Sequence, residues 1–337
     1  MKGSAKLKKM IHRSAEEISA TARIARETSV KDALITFIAK LDIQRSVRNG
    51  NKETPAVKKR LLKKHEVMLR YYEKTFADFT ESYDYDRPLP EDDEKNRNHI
   101  WICWWQGLEQ APEIVRICIE SIRRNAKNHE VILITDKNYK EYVHIPAWVE
   151  EKRNKGIISR THFADLLRLS LLAEHGGMWL DATFFCTSPE IEKYFSYPVW
   201  SVKRPDYLHL SIASGNFANY SLACDYDHRW VFATFRDFFL HYWETNNSLI
   251  DYLTLDYLIV LAQRKDKRIK EVFDAIIPNN QRCDDLFVAL PEIYNEEYWN
   301  ALKKDTALFK LTWKIEYPKE IHGNETFYSR LLNRNLI

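Results

Sequence analysis

From Ser159 to Thr183 the chain reads SRTHFADLLRLSLLAEHGGMWLDAT, and three residues in it have the types and spacing to act together on an anion. Asp165 and Arg168 stand three apart and therefore share one face of a helix. Asp181 closes a short apolar run, MWL (178–180), that follows two glycines. An acid at the end of a parallel strand lies on the rim where open α/β sheets bind ligands. Two acids and an arginine converging there suit an anionic, metal-associated ligand such as a nucleotide-sugar. The plainer alternative is an Asp165–Arg168 ion pair on a helix surface, worth roughly a few tenths of a kcal/mol. The tandem glycine and the strand-end acid favour a site.

The elements that must position these residues are legible around them. A helix is expected over 160–175, with Phe163, Leu166, Leu167 and Leu171 on its buried side and Thr161, Asp165, Arg168 and Leu172 on one stripe. His175-Gly176-Gly177 supplies its stop, since glycine takes the left-handed cap. Asp181 and Thr183 alternate with Leu180, so they face the other way from it. Upstream, HIWICWW (99–105) and VILITD (131–136) read as buried strands flanking a helix that opens at Gly107 and Pro112 and runs to about Asn125. This is a βαβ start, which implies a mostly parallel, Rossmann-like sheet flanked by helices. Neither GxGxxG nor GxxxxGK[ST] is present, and the chain has only eight glycines. Phosphates would thus be neutralised by a metal or by basic side chains. Further on, 198–205, 209–216, 286–294 and 307–315 are expected as strands, and 230–242 and 249–262 as helices.

The amino-terminal part differs. Helical spacing is visible around residues 18–41 and 57–79, and a polar, proline-containing break covers 83–98. A helical basic extension over 1–90 and an α/β domain over 91–337 are expected. Residues 1–90 hold 20 Lys and Arg against 12 Asp and Glu, a net of +8 where the whole chain carries +3. The remainder is therefore net acidic. A basic arm on an acidic body suits anionic lipid headgroups, each basic residue near such a surface contributing about 1 kcal/mol. The five cysteines form no CxxC pair, no signal-peptide pattern follows the basic start, and no apolar run reaches the ~18 residues a span needs. The expected location is the cytoplasm, with peripheral contact at the inner face of the plasma membrane.

The motif carries a resemblance. D-x-x-R, then Gly-Gly, an aromatic, an aliphatic and Asp resembles the central motif of DXD-type glycosyltransferases, the group of yeast mannosyltransferases and clostridial glucosylating toxins. More closely, IWICWWQGLEQAPEIVRICIESI, VILITDKNY, GIISRTHFADLLRLSLLAEHGGMWLDAT and DYLTLDYLI resemble the bacterial capsular polysaccharide synthesis protein family, over about half of the chain. The resemblance implies a GT-A-like fold and a metal-dependent hexosyltransferase with a nucleotide-sugar donor, a UDP-sugar first, and a divalent cation, Mn²⁺ or Mg²⁺. It also implies retention of configuration and a lipid-linked oligosaccharide or polysaccharide as acceptor. It puts the base at Trp104, Trp105 and Gln106, the sugar and phosphates at Asp165 and Arg168, and ribose and metal at Asp181. Thr183 stands where the second acid of the motif belongs, and a hydroxyl is a weak ligand for a hard cation. His322 is the candidate to complete the metal site and Lys314 to neutralise the leaving diphosphate. Asn216, Asp251 and Asp256 are the acceptor-side candidates.

The residues show no spaced carboxylate pair of the kind a glycoside hydrolase uses, and no nucleophile. Two other readings stand beside glycosyl transfer. An inactive scaffold of a polysaccharide assembly complex is motivated by Thr183. A nucleic-acid-binding protein is motivated by the basic arm and the aromatics, but the acidic body opposes it.

Overall fold

The computed structural model describes residues 16–48, 50, 52–91 and 98–336. The basic start, residues 1–15, and part of the expected break at 83–98 lie outside them. The chain forms helices α1 (16–27), α2 (Val30–Arg48), α3 (Pro55–Thr75) and α4 (Ala77–Ser82) before the first strand. Then come β1 (Ile100–Cys103), α5 (Glu113–Asn125), β2 (Val131–Ile134), α6 (Ala147–Asn154), α7 (Arg160–His175), β3 (Gly177–Leu180), β4 (Phe184–Cys186), β5 (Val199–Ser201) and β6 (Ser221–Cys224). The last third holds α8 (Arg229–Thr245), α9 (Thr254–Lys265), α10 (Lys267–Asp274), α11 (Asp285–Ala289), α12 (Glu296–Lys303), β7 (Leu308–Lys310), a β8–β9 hairpin (Glu320–Ile321, Asn324–Glu325) and α13 (Phe327–Leu332).

The central sheet has five strands in the order β2-β1-β3-β6-β5. β1 pairs in parallel with both β2 and β3, and β6 runs antiparallel to β3 and to β5, so four of the five strands point one way. Ile100, Trp101 and Ile102 are all buried, as are Met178, Trp179 and Leu180. Such unalternating apolar runs mark strands covered on both faces. β4 leaves this sheet and pairs with β7 in a separate two-stranded ribbon, Phe184 opposite Lys310.

Helix α7 begins where the Ser159 hydroxyl accepts from His162 N–H (3.3 Å) and ends where Gly176 N–H donates to Leu172 O (3.0 Å). Gly177 then passes β1 so closely that a Cβ there would lie 2.4 Å from His99 O, and its φ is +84°. Only glycine meets both conditions. Met178 N–H takes the bond to His99 O (2.8 Å), which fixes where β3, and hence Asp181, stands against β1.

The amino-terminal helices share a core with the sheet domain. Val67, Met68, Tyr71 and Tyr72 of α3 belong to the apolar cluster that holds Trp101, Trp179 and the α8 phenylalanines. Polar contacts add direction. Lys64 pairs with Asp251 at 2.7 Å, both side chains buried, and the Tyr72 hydroxyl meets Thr254 Oγ1 at 2.8 Å. His65 Nε2 lies 2.9 Å from His209 O, which only accepts, so Nε2 carries the proton and Nδ1 accepts from the Tyr257 hydroxyl (2.7 Å). Burial holds that imidazole neutral, its pKa pushed down to about 4.

Two strand expectations are corrected. Residues 209–216 form an irregular loop, because Leu208, Ser214 and Gly215 take positive φ. Residues 286–294 begin in α11, where Leu286, Ala289 and Leu290 bury at helical spacing. β6, with its short SLAC sequence, is a strand that apolar patterning did not single out.

Candidate active site

Asp181 follows the last residue of β3. Its N–H donates to Tyr220 O (3.0 Å) and its carbonyl accepts from Phe184 N–H (3.0 Å), closing a turn that brings the Thr183 hydroxyl round to the carboxylate. The carboxylate is surrounded by donors. Trp179 Nε1 donates to Oδ1 (3.1 Å), Arg168 Nη2 stands 3.6 Å from Oδ1, and Lys310 Nζ donates to Oδ2 (2.8 Å). The same Nζ lies 2.8 Å from Thr183 Oγ1. Lys310 thus bridges the two positions of the D-A-T motif.

Arg168 is buried on α7 and serves two acids, with Nη2 3.1 Å from Asp165 Oδ1 as well as facing Asp181. Its Nη1 donates to Asn219 O, and its guanidinium lies over the Trp179 ring, 5.2 Å from the centroid. The Asn219 side chain turns the other way and donates to Asp256 Oδ1 (2.7 Å), while the Ser211 hydroxyl donates to Asp256 Oδ2 (2.5 Å).

The three acids titrate differently because their surroundings differ. Burial pushes Asp181 up, but Lys310 and Arg168, with the hydrogen bonds from Lys310 and Trp179, outweigh it and hold the carboxyl below its ordinary value. Burial raises Asp165 against the opposing charge of Arg168. Asp256 is raised to about 6, chiefly by burial and also by the charge of Asp165, with the hydrogen bonds from Ser211 and Asn219 opposing.

A cleft of about 490 Å³ opens over Asp181. Four cations, Arg160, Arg168, Lys310 and Lys314, line it against the single carboxylate of Asp181. Trp104, Trp105 and Gln106, just beyond β1, form one wall and Trp313 another, with Trp104 and Trp313 edge to face at 5.7 Å. The Trp104 indole N–H is buried and has no hydrogen-bond partner among the described residues. A second pocket of about 310 Å³ adjoins, with Lys310 common to both, and Asp256, Asn219, Tyr220 and Arg204 on its wall.

Residues 48–331 match the capsular polysaccharide synthesis proteins. The chain belongs to that family. An O-glycosyltransferase of Phomopsis amygdali, PaGT, is 31% identical over 101 residues, 27% of this chain and 24% of that protein. The chain thus covers about a quarter of that relative's length. No solved structure matches it. The family match begins at residue 48, so it takes in α3 of the amino-terminal helices as well as the sheet.

In this capsular polysaccharide synthesis protein, Asp181, Arg168, Trp104, Trp105, Gln106, Thr183 and Lys314 all line one cleft. Asp165 stands behind Arg168, buried, and reaches the cleft through it. Trp105 packs against Phe163 (5.5 Å) and under Arg153 (4.8 Å), so much of its ring is spent on packing. Three candidates are placed elsewhere. His322 lies exposed in the β8–β9 turn and is not among the cleft-lining residues, because the hairpin projects it outward. Asp251 is committed to Lys64 and to Leu253 N–H (3.0 Å), a structural pairing. Asn216 is exposed and absent from the second pocket's wall, where Asn219 stands instead.

The donor set does not suit the divalent cation that the motif implies. Hard cations take several oxygen ligands, carboxylates foremost. Here one carboxylate and one hydroxyl already face an ammonium. Among the described residues no group of three or more His, Cys, Asp and Glu side chains gathers. Sequence reasoning passed over Lys310, choosing Lys314 instead. The available signal was period two in LFKLTW: Phe309 and Leu311 are buried, which turns Lys310 to the opposite face.

Proposed function

We propose that the protein is a glycosyltransferase that moves a sugar from a nucleotide-sugar, a UDP-sugar first among them, to a polysaccharide or lipid-linked oligosaccharide. The observation that carries this reading is the cationic, aromatic-walled cleft at the end of β3, with Asp181 and Arg168 at its floor. Its size is that of a small-molecule site. The sheet, with one antiparallel strand beside the acid-bearing strand, supports a GT-A-like arrangement. In this reading Trp104 holds the base with its ring, and Arg168 and Lys314 neutralise phosphate. Asp181 accepts from a hydroxyl of the ribose or sugar. The neighbouring pocket takes the acceptor, and Asp256 orients its hydroxyl. Fixing both reactants in adjoining pockets converts their encounter into an intramolecular step.

The test is a thermal-shift screen of UDP- and GDP-sugars on wild type and Trp104→Ala. A ligand at about a hundred times its Kd stabilises the folded state by about 2.7 kcal/mol. One nucleotide class should raise Tm in wild type and not in the variant. If no nucleotide raises Tm in folded protein, the reading fails. Retention is read separately from the anomeric signal of the first-formed product.

The acceptor also bears on the amino-terminal helices. Val30, Leu34, Phe37, Ile38 and Leu41 form one helical stripe on α2, exposed by 36% to 78%. With the +8 charge of residues 1–90, this face fits an anionic bilayer surface, where apolar insertion and headgroup attraction add. No helix among the described residues is long and apolar enough to cross a membrane. Flotation with anionic and neutral liposomes tests it: equal recovery with both rules out the electrostatic anchor, and recovery with neither removes the membrane contact.

A further inference from the structure

Lys310 stands between the two side chains of the D-A-T motif, Asp181 and Thr183. Its Nζ is 2.8 Å from Asp181 Oδ2 and 2.8 Å from Thr183 Oγ1, the two side chains such a motif would turn toward a cation. The lysine is held there by the fold. β7 pairs with β4, Lys310 opposite Phe184, and its N–H donates to Cys283 O (2.7 Å). Phe309 and Leu311 on either side are buried, so a register slip of one residue would drive Lys310 into the core. The rings of Phe184 and Tyr220 flank the ammonium, with centroids 5.3 and 5.2 Å away. The other oxygen of Asp181 faces Arg168 at 3.6 Å.

The charges fit a substitution of one device for another. Two carboxylates and a divalent cation sum to zero, and so do one carboxylate, one hydroxyl and one ammonium. Replacing the second acid by Thr183 removes the negative charge that a divalent ion would need. It leaves an acceptor suited to a lysine. A metal entering beside Asp181 would meet two fixed cations at close range in a partly desolvated site, where like charges repel strongly.

We propose that Lys310 is the resident cation of this active site, binding the leaving diphosphate directly, so that the protein binds and turns over its donor without a divalent metal. The inference rests on the glycosyltransferase reading above. In the transfer, the bond from the anomeric carbon to the diphosphate oxygen breaks and its electron pair leaves with the nucleoside diphosphate. The acceptor oxygen forms the new bond to that carbon, and its proton passes to the departing phosphate oxygen. Lys310, which exchanges Thr183 for phosphate when the donor binds and before the step, and Arg168 stabilise the charge gained by the diphosphate. Such fixed cations need no reorganisation during the step.

The experiment is isothermal titration of the full chain with UDP and, separately, with inorganic pyrophosphate, each in EDTA and in Mn²⁺, for wild type and Lys310→Met. Wild type should bind both ligands in EDTA, with Mn²⁺ changing the affinity by less than about threefold. Lys310→Met should weaken both by about tenfold or more, the loss expected for one charge-assisted contact. Binding of either ligand to wild type only in the presence of Mn²⁺ overturns the proposal, and that arm needs no variant to fold. If pyrophosphate binds in EDTA and is lost in Lys310→Met while UDP binds no better than pyrophosphate, Lys310 is the anion-binding cation and the nucleotide-donor reading is what fails. If neither ligand binds wild type under either condition, both fail.

Discussion

Replacing Asp256 by Asn should make the protein more stable and less active, and the gain in stability should depend on pH in a defined direction. Asp256 is 5% exposed near the start of α9, and its pKa is raised to about 6 from an ordinary 3.8. That is about two units, and each unit is about 1.4 kcal/mol, so holding the carboxylate ionised at neutral pH costs the fold about 3 kcal/mol. Between pH 3.8 and 6 the folded state binds this proton more tightly than the unfolded chain does. The stability it contributes is therefore complete below pH 3.8 and is lost as pH rises through 6. The amide cannot titrate. Its oxygen can accept from Asn219 and its nitrogen donate to Ser211 Oγ, so both contacts survive in weaker, uncharged form.

Urea denaturation of wild type and Asp256→Asn at a series of pH values from about 4 to 8 isolates this residue, since other raised acids such as Asp165 are common to both. The difference should be near zero at the acid end and reach about 2–3 kcal/mol in favour of the variant above pH 7. Transfer activity should fall by about a hundredfold, as for loss of a group that positions a reactant. A variant less stable than wild type at neutral pH, or a difference that does not change with pH, would refute the argument that burial dominates at this position.

The remaining predictions concern the frame of the site. Lys64→Met strands the buried Asp251 carboxylate and should cost about 3–5 kcal/mol in urea denaturation, while Lys64→Met with Asp251→Asn recovers most of it; equal losses in both would show that the pair is not what docks α3. Gly177→Ala forces a Cβ to within 2.4 Å of His99 O at a φ of +84°, and the combined overpacking and backbone strain should cost about 2–5 kcal/mol. Gly156→Ala, at φ +74° with nothing within 4 Å, should cost only the left-handed penalty of about 1–2 kcal/mol, and two equal losses would remove the close approach as the cause.

Much of this frame was legible because it is local. A helix stop, two glycines and a strand-end acid lie within one stretch of sequence, and the apolar runs of β1, β2 and β3 are continuous because both faces of those strands are covered. What escaped is set by partners distant in sequence. Asp251 and Asp256 look alike in DYLTLDYLI, yet one meets Lys64 of α3 and the other faces Asn219. Asn216 and Asn219 are equally polar loop residues, yet Asn216 is exposed and Asn219 turns inward to Asp256. Lys310 and Lys314 differ by the β4–β7 pairing; the alternation of Phe309, Lys310 and Leu311 gives the face of Lys310 but not its partner strand. In the loop at 209–216, Leu210 and Ile212 alternate with polar residues as in a strand, but the left-handed turns at Leu208, Ser214 and Gly215 break it.

Asn219 gives the two pockets a physical connection. Its carbonyl accepts from Arg168 on the donor side and its amide donates to Asp256 on the acceptor side at 2.7 Å. Arg168 in turn is shared between Asp165 and Asp181. An anion reaching Arg168 competes with these acceptors, because a guanidinium has a fixed fork of donors. Any shift of the guanidinium toward phosphate pulls on the loop that carries Asn219, and so on the hydrogen bond that helps keep Asp256 ionised. Loosening that bond raises the proton affinity of Asp256, and tightening it lowers it. In the proposed reading, the acid that orients the acceptor is thereby coupled to whether the donor diphosphate is in place.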